Sequence, residues 1–249
     1  MVGIGGGVPS AESDIQLRDV VISQPYLQHE GVVQYDFGKT GAGGHKTRTG
    51  WLNAPPVVLL NAVSKLRALH FRGRSNLATY LSAFKQLKNF SRDAAGPDIL
   101  FKAAYNHIGG VTCEQCSKEK EVKRTPREDQ EVVVHYGTIA SGNQVIKDGI
   151  ARDRISIELG GVMCFKMEAT RLMNDFNCLI IRGICDYADS YKNKKWQPYA
   201  AATAAAYTKE ILSVIPAIEV AKIAAVNKAN RSQSKHMIHL CTSIFSFSF

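Results

Sequence analysis

Hydrophobic residues recur along the chain with two different spacings, and the two alternate. Val- and Ile-rich runs of strand length are followed by stretches in which apolar residues return every three or four positions. The first pattern predicts β-strands and the second predicts amphipathic helices. The predicted strands are 1–4, 17–24, 31–37, 131–139, 161–165 and 178–184, and the predicted helices are 54–69, 76–90, 167–176 and 196–215. This alternation favours a three-layer α/β domain with a central sheet.

Three polar or glycine-rich segments come directly after predicted strands. They are Gly5–Gly7, which is interpreted as a tight loop, the segment 141–146, and Asp186. In α/β sheets, ligands bind beyond the carboxyl ends of the strands. These segments are therefore the first candidates for a functional site.

The two ends of the chain differ from its middle. The chain opens directly on a core strand, which indicates that elements upstream are missing. The predicted domain covers residues 1–216, and residues 217–249 are interpreted as a C-terminal helix extension with an atypical tail. The polar segment 117–130 is expected to be an exposed loop.

The formal net charge of the 249 residues is +9. Because no nucleic-acid-binding motif accompanies the basic residues, a solvated basic face is favoured over a nucleic-acid partner. Attraction of small anionic substrates is a further interpretation. No apolar run is long enough to span a bilayer and no secretory signal opens the chain, so we expect no membrane partner and a cytoplasmic location.

Two carboxylates stand out. Asp186 follows a buried strand, where desolvation would raise its pKa toward a range useful for a general acid. From the residues alone, a turn-capping role for Asp186 is slightly favoured. Glu168 opens a predicted helix, where it either complements the helix dipole or accepts hydrogen bonds from sugar hydroxyls.

The glycine run Gly5–Gly7 and the cysteine pair Cys113/Cys116 are less specific signals. Three glycines let a backbone approach a ligand, but a structural turn is favoured when they are taken alone. A structural zinc ion needs four ligands, and no second cysteine pair is present. His107 and His135 could contribute, but their spacing follows no common rule, so we expect an unmetallated loop, reduced thiols and no metal.

Four segments together resemble the purine nucleoside phosphorylase and methylthioadenosine/S-adenosylhomocysteine nucleosidase superfamily. Residues 135–146 read HYGTIASGNQVI, 165–169 read FKMEA and 182–189 read RGICDYAD, while 3–7 and 20–23 resemble its Gly-rich strand and the strand that follows. The likeness is greatest to nucleoside phosphorylase-like domains of fungal NACHT, ankyrin or tetratricopeptide-repeat proteins, and it covers residues 1–216. It implies an α/β/α sandwich with a central mixed β-sheet whose first strands are missing.

The resemblance also implies cleavage of the N-glycosidic bond of a purine nucleoside or nucleotide. Asp186 would protonate the purine near N7, and Arg182 would position phosphate or water. No cofactor is implied, although phosphate is a candidate co-substrate, and a homo-oligomer is expected. The implied substrate-binding residues are Met167 and Glu168 for the ribose, Val145 and Ile146 for the base, and Gly5, Gly6 and Gly7 near the sugar and nucleophile.

Three departures from the superfamily pattern leave an alternative open. The opening strand and loop are absent, Lys166 stands where a Glu is usual, and Arg18 stands where a Gly usually precedes Asp19. These departures favour a degenerate nucleoside-binding or signalling module of a fungal NLR-like protein. The sequence does not decide between phosphorolysis and hydrolysis, nor does it identify the base.

Overall fold

A seven-stranded mixed sheet forms the centre of the computed structural model, which describes residues 1–40, 46–47, 52–108, 113, 115–127, 132–167, 173 and 176–221. The strand order is β3-β7-β8-β1-β9-β2-β6, and β4 and β5 form a separate two-stranded pair. The strands are β1 (Val2–Gly7), β2 (Val20–Ser23), β3 (Val32–Gln34), β4 (Lys39–Thr40), β5 (Lys46–Thr47), β6 (Val134–Gly137), β7 (Ile139–Gly142), β8 (Cys164–Met167) and β9 (Ile181–Asp186). The α-helices are α1 (Val57–Phe71), α2 (Leu77–Ser82), α3 (Arg92–Ala95), α4 (Gly149–Glu158) and α5 (Trp196–Val214).

The sheet curls until its two edges lie side by side. Strand β6 pairs with β2 at one edge, whereas β7 pairs with β3 and β8 at the other. Only the buried residue Thr138 separates β6 from β7, so one continuous segment joins both edges. Backbone hydrogen bonds from Gln24 N to Gly137 O (3.1 Å) and from Ile139 N to Gly31 O (3.0 Å) close the junction.

Helix α5 packs directly on the sheet at β9. A Cβ atom at Gly183 would collide with the carbonyl oxygen of Ala200, so the glycine allows the backbones of strand and helix to approach closely. The apolar cluster beneath α5 is shared with β2, β9 and α1, and it includes Val20, Ile22, Ala62, Leu66, Ile181, Ala204, Tyr207 and Ile211. Within the described ranges, no helix is both long and apolar enough to cross a membrane.

Helix α4 packs elsewhere, against β3, β7 and β8. Ile155 and Leu159 contact the cluster that contains Val33, Ala140 and Phe165. Asp148 caps this helix, because its carboxylate accepts hydrogen bonds from the first backbone amides. With helices on two separate parts of a mixed sheet, the predicted α/β/α class with a central mixed sheet is confirmed.

Several local predictions need correction. The glycines Gly5–Gly7 belong to β1, because their backbone pairs with β8 and β9 on both sides. The strand predicted over 131–139 is divided into β6 and β7, and the helix predicted over 76–90 ends at Ser82 before a 3₁₀ turn.

Three further predictions are corrected or stay open. Within the segment 117–130, which was predicted to be an exposed loop, the Arg124 and Arg127 side chains are mostly buried in ion pairs. Most of the helix predicted over 167–176 and the tail beyond residue 221 lie outside the described residues. The domain boundary at 216 stays a prediction.

A buried ion-pair network surrounds Asp19 at the start of β2. Its carboxylate accepts hydrogen bonds from the Arg127 guanidinium (2.7 and 2.9 Å), from His135 Nε2 (2.9 Å) and from Gln16 N (2.8 Å). Burial by itself would raise the pKa of Asp19, but the hydrogen bonds from His135 and Arg127 outweigh it and hold the pKa below its ordinary value. The network joins β2 to β6 and to the segment that follows the 3₁₀ turn 118–120.

We expect Asp19→Asn to destabilise the fold by about 3 kcal/mol near neutral pH, because it removes the buried charge that Arg127 and His135 contact and leaves Arg127 only the more distant carboxylate of Asp14. Since the pKa of Asp19 is depressed in the folded state, its contribution is full above about pH 4 and is lost as the pH falls further. Urea unfolding of both proteins at about pH 5 and about pH 3 measures this. A stability difference that does not shrink toward pH 3 would contradict it.

Arg18 has a left-handed backbone conformation, with φ at 93°. This region favours glycine, which explains why a glycine is usual at this position in the superfamily that the chain resembles. The guanidinium is buried, where it donates to Gln16 Oε1 (3.0 Å) and lies 3.8 Å from Asp98 Oδ2. Burial lowers the pKa of Arg18, although Asp19 and Asp98 oppose this shift.

Arg18→Gly and Arg18→Ala remove the same side-chain contacts, so their difference isolates the backbone conformation. We expect the glycine variant to be more stable than the alanine variant by about 1 kcal/mol. Urea unfolding midpoints of the two variants measure this difference. Equal midpoints would show that the positive φ costs the alanine variant nothing.

Candidate functional site

The side chain of Asp186 is fixed at the carboxyl end of β9. Oδ1 accepts hydrogen bonds from Ala188 N (2.8 Å) and from Lys192 Nζ (2.5 Å), and the Cys185 thiol lies 3.5 Å from Oδ2. The side chain is 15% exposed, so it is mostly buried but still reaches solvent. Asp186 is therefore a positioned carboxylate with an ammonium group beside it.

Gly6 makes the space that the Asp186 carboxylate occupies. The two residues are register partners between β1 and β9, at a point where the register shifts. A Cβ atom on Gly6 would lie 2.7 Å from Asp186 Oδ1 and 2.9 Å from Ala188 N. The glycine run thus acts by allowing close approach within the sheet, and not by forming a loop after it.

Three hydrogen bonds hold the turn after Asp186. The amide of Ala188 donates to Asp186 Oδ1, and Ala188 has a positive φ of 51°. The Tyr187 hydroxyl donates to Asp98 Oδ1 (2.6 Å), and Arg152 of α4 donates to Tyr187 O (2.8 Å). Burial raises the pKa of Tyr187 well above its ordinary value, so its hydroxyl remains a donor. The sequence analysis missed Arg152 and Asp98, because neither belongs to a motif.

Arg182 lies on the same strand but further into the sheet. Its guanidinium occupies the place where a Cβ atom of Gly3 would be, and burial lowers its pKa. Among the described residues, Arg182 Nε has no hydrogen-bond partner. Lys166 is buried on β8, which lies on the other side of β1 from β9. Both cations lie close enough to the Cys164 thiol to oppose the rise that burial causes in its pKa. This part of the sheet therefore holds two buried cations.

The structure brings part of the predicted substrate-binding set toward Asp186. Ile146 packs against a cluster that contains Val8 and Ala188, the residues next to Gly7 and close to Asp186. Val145 is half exposed. Met167 ends β8 opposite Gly142 of β7 and is also partly exposed, while Glu168 lies outside the described residues.

A cavity of about 440 Å³ opens in front of Asp186. Aromatic rings line one side, and the Tyr191 ring stacks on Phe101 with 4.1 Å between centroids. Lys192 and His107 add polar groups to the lining. An apolar wall with a few converging polar groups is typical of a small-molecule site. Lys192 is one of the basic residues for which the net charge alone favoured a solvated face.

The cysteine pair lies next to His107, one of the two histidines considered from the sequence. His107, Cys113 and Cys116 place their donor atoms within 4.8 Å of one another, so these three side chains could hold a metal. His135, the other histidine considered, bonds to Asp19 and lies in a different part of the fold.

We expect Gly6→Ala to lower the free energy of unfolding by about 2 kcal/mol, because the new methyl group would crowd Asp186 and Ala188. In an Asp186→Ala background one of the crowding atoms is gone, so the same substitution should cost about 1 kcal/mol less. Urea unfolding of the four proteins of this double-mutant cycle measures the coupling. Equal costs in both backgrounds would show that the Asp186 carboxylate does not lie against Gly6.

Comparison with known proteins supports the fold and gives one sequence relative. No known protein-family profile matches the chain. A nucleotide-binding leucine-rich repeat (NLR)-like protein of Hyaloscypha variabilis is 47% identical over 217 residues, which are 86% of this chain and 21% of that protein. The chain thus spans about a fifth of the length of this relative.

Solved structures share the fold at low sequence identity. The 5′-methylthioadenosine/S-adenosylhomocysteine nucleosidase of Neisseria meningitidis superposes with a TM-score of 0.50 at 16% identity, over 85% of this chain and 67% of that one. Futalosine hydrolase of Helicobacter pylori gives a TM-score of 0.47 at 13% identity, over 85% and 66%. The chain has the α/β fold of the meningococcal nucleosidase.

Proposed function

We propose that this chain cleaves the N-glycosidic bond of purine nucleosides or nucleotides. The observation that carries the proposal is Asp186, a positioned carboxylate at the end of a central strand, facing a cavity with an aromatic wall. The meningococcal protein of the same fold is a nucleosidase and was crystallised in complex with methylthio-immucillin-A. The four sequence segments described above support the same reaction class.

In the proposed reaction, the protonated form of Asp186 gives its proton to the purine as the bond to the sugar breaks. The bonding electron pair leaves with the base, and water or phosphate forms the new bond to the anomeric carbon. An attacking water then releases a proton that restores the acid, whereas after attack by phosphate Asp186 regains its proton from solvent. A general acid placed at a leaving group contributes roughly a hundredfold to ten-thousandfold in rate. Ala188 N and Lys192 Nζ both donate to Oδ1, whereas Oδ2 accepts from the Cys185 thiol at 3.5 Å, and Oδ2 is the oxygen proposed to face the base.

The other predicted substrate-binding residues are not among those that line the aromatic cavity, so in this proposal they orient the part of the substrate that lies outside it. Val145 and Ile146 contact the base, while Met167 and Glu168 bind the ribose hydroxyls. Gly5–Gly7 offer a backbone without side chains near the sugar. Fixed orientation of the sugar and base lowers the entropic part of the barrier.

The buried residues Arg182 and Lys166 concern the group that attacks the sugar. Arg182 and Lys166 both lie close to the Cys164 thiol within the sheet. In this proposal Arg182 positions the attacking group, which is water or phosphate, and phosphate stays a candidate co-substrate. Formation of a homo-oligomer stays a prediction.

A second candidate function is nucleoside binding without cleavage. Lys166 places a basic group where the superfamily pattern has a Glu, and the fungal relative is an NLR-like protein of about five times the matched length. In this alternative, the domain would bind a nucleoside or nucleotide and report it to the rest of a larger protein.

One experiment separates the two candidates. The protein is incubated with adenosine, inosine, methylthioadenosine and ATP, with and without phosphate, and free base is measured by chromatography. Free base supports cleavage, and its dependence on phosphate distinguishes phosphorolysis from hydrolysis. Calorimetric binding of a nucleoside without release of base would favour the binding module.

We expect Asp186→Asn to lower base release at least about a hundredfold, because asparagine keeps the shape but cannot donate the proton. The melting temperature should change little, since the amide oxygen can still accept from Ala188 N. Glu158→Gln on the exposed side of α4 is the matched control and should keep the wild-type rate. Base release at the wild-type rate by Asp186→Asn would refute the assignment of the acid.

A further inference from the structure

His107, Cys113 and Cys116 form a compact group of soft ligands beside the cavity. Their donor atoms lie within 4.8 Å of one another, and Cys116 Sγ is 3.5 Å from His107 Nδ1. A hydrogen bond from Cys116 N to Cys113 O (3.1 Å) closes the turn between the two cysteines and directs both thiols to one place. None of these side chains has a role in the proposed cleavage.

We propose that His107, Cys113 and Cys116 bind one Zn²⁺ ion. Two thiolates and one imidazole are a donor set that Zn²⁺ prefers in proteins. Around a tetrahedral zinc ion, neighbouring sulfur and nitrogen ligands are about 3.3 to 3.8 Å apart, so the 3.5 Å pair already fits and the third ligand needs to move by about 1 Å. When the ion binds, each thiol gives its proton to solvent, and two thiolates balance the charge of the ion.

The surroundings already hold this group in place. His107 N donates to Ser190 Oγ (2.9 Å), and its ring meets the Tyr191 ring edge-on at 5.2 Å between centroids. Burial, and then the neighbouring Cys116, raise the pKa of Cys113 to about 11 in the absence of metal. An ion that favours thiolates would reverse this shift.

Cys113 and His107 also line the cavity that contains Asp186, so the ion would lie beside that cavity. The ion would also fasten the segment around Cys113 against Phe101 and Tyr191, which form the cavity wall.

The test measures metal directly, so it does not depend on the proposed cleavage activity. The full chain is expressed in zinc-supplemented medium, purified without chelator, and analysed for metal by plasma mass spectrometry. We expect about one zinc ion per chain, lost in Cys113→Ser/Cys116→Ser and retained in Cys178→Ser. Cys178 is the matched control, because it is also partly buried but lies outside the group.

A second measurement keeps the test decisive if the double variant does not fold. Apo protein is titrated with Co²⁺, and a thiolate-to-cobalt charge-transfer band together with intense visible bands would show tetrahedral binding by cysteine. Zinc retained by the folded double variant would overturn the proposal. So would a wild-type protein without zinc that has a Cys113–Cys116 disulfide by mass, or that has two free thiols and gives no cobalt band.

Discussion

The contact between α5 and β9 is the constraint on which the candidate site depends. The helix lies against the strand at Gly183, where any side chain would collide with the carbonyl of Ala200. Since β9 also carries Arg182 and Asp186, the position of both side chains is set by how closely the helix and strand approach. The small buried residues of α5, Ala200, Ala204 and Ala206, serve the same purpose from the helix side. Because protein interiors are closely packed, a shift of the helix at this contact would also move the carboxylate of Asp186.

Buried polar networks fix the side-chain positions that apolar packing alone does not determine. Asp19 joins β2 to β6 through His135 and Arg127, while Asp98 holds the hydroxyl of Tyr187 beside Asp186. Each of these carboxylates has a charged or hydroxyl partner, which offsets the cost of removing it from water. The left-handed backbone at Ala188 lies at the end of this network, directly after the amide that donates to Asp186.

Sequence patterns predicted the elements in which apolar residues follow a clear period. The apolar run before Asp186 and the repeat over 196–215 correspond to β9 and α5 within a few residues. Helix α4 was missed because its pattern is inverted: Ile150 and Ile157 are exposed, whereas Arg152 is buried against Tyr187. Tertiary contacts decide which side of α4 faces inward, and a window of sequence does not contain them.

The candidate site was predictable only where residues follow one another in a motif. Asp186 and Arg182 were proposed in this way, whereas Lys192 and Tyr191 line the cavity beside Asp186 and belong to no motif. The glycines of β1 were misread as a loop, because neighbouring strands on both sides make them part of the sheet.

The site joins opposite charges that act at different distances. Lys192 contacts the Asp186 carboxylate directly, while Arg182 and Lys166 are buried nearer the opposite end of β9, around Cys164. A pair in contact fixes geometry, because its energy depends steeply on the separation of the two atoms. Arg182 and Lys166 act on their surroundings over a longer range, and both oppose the rise that burial causes in the pKa of the Cys164 thiol. The short contact with Lys192 therefore fixes the position of the Asp186 carboxylate, whereas the two more distant cations change the electrostatic potential within the sheet without fixing the geometry of that side chain.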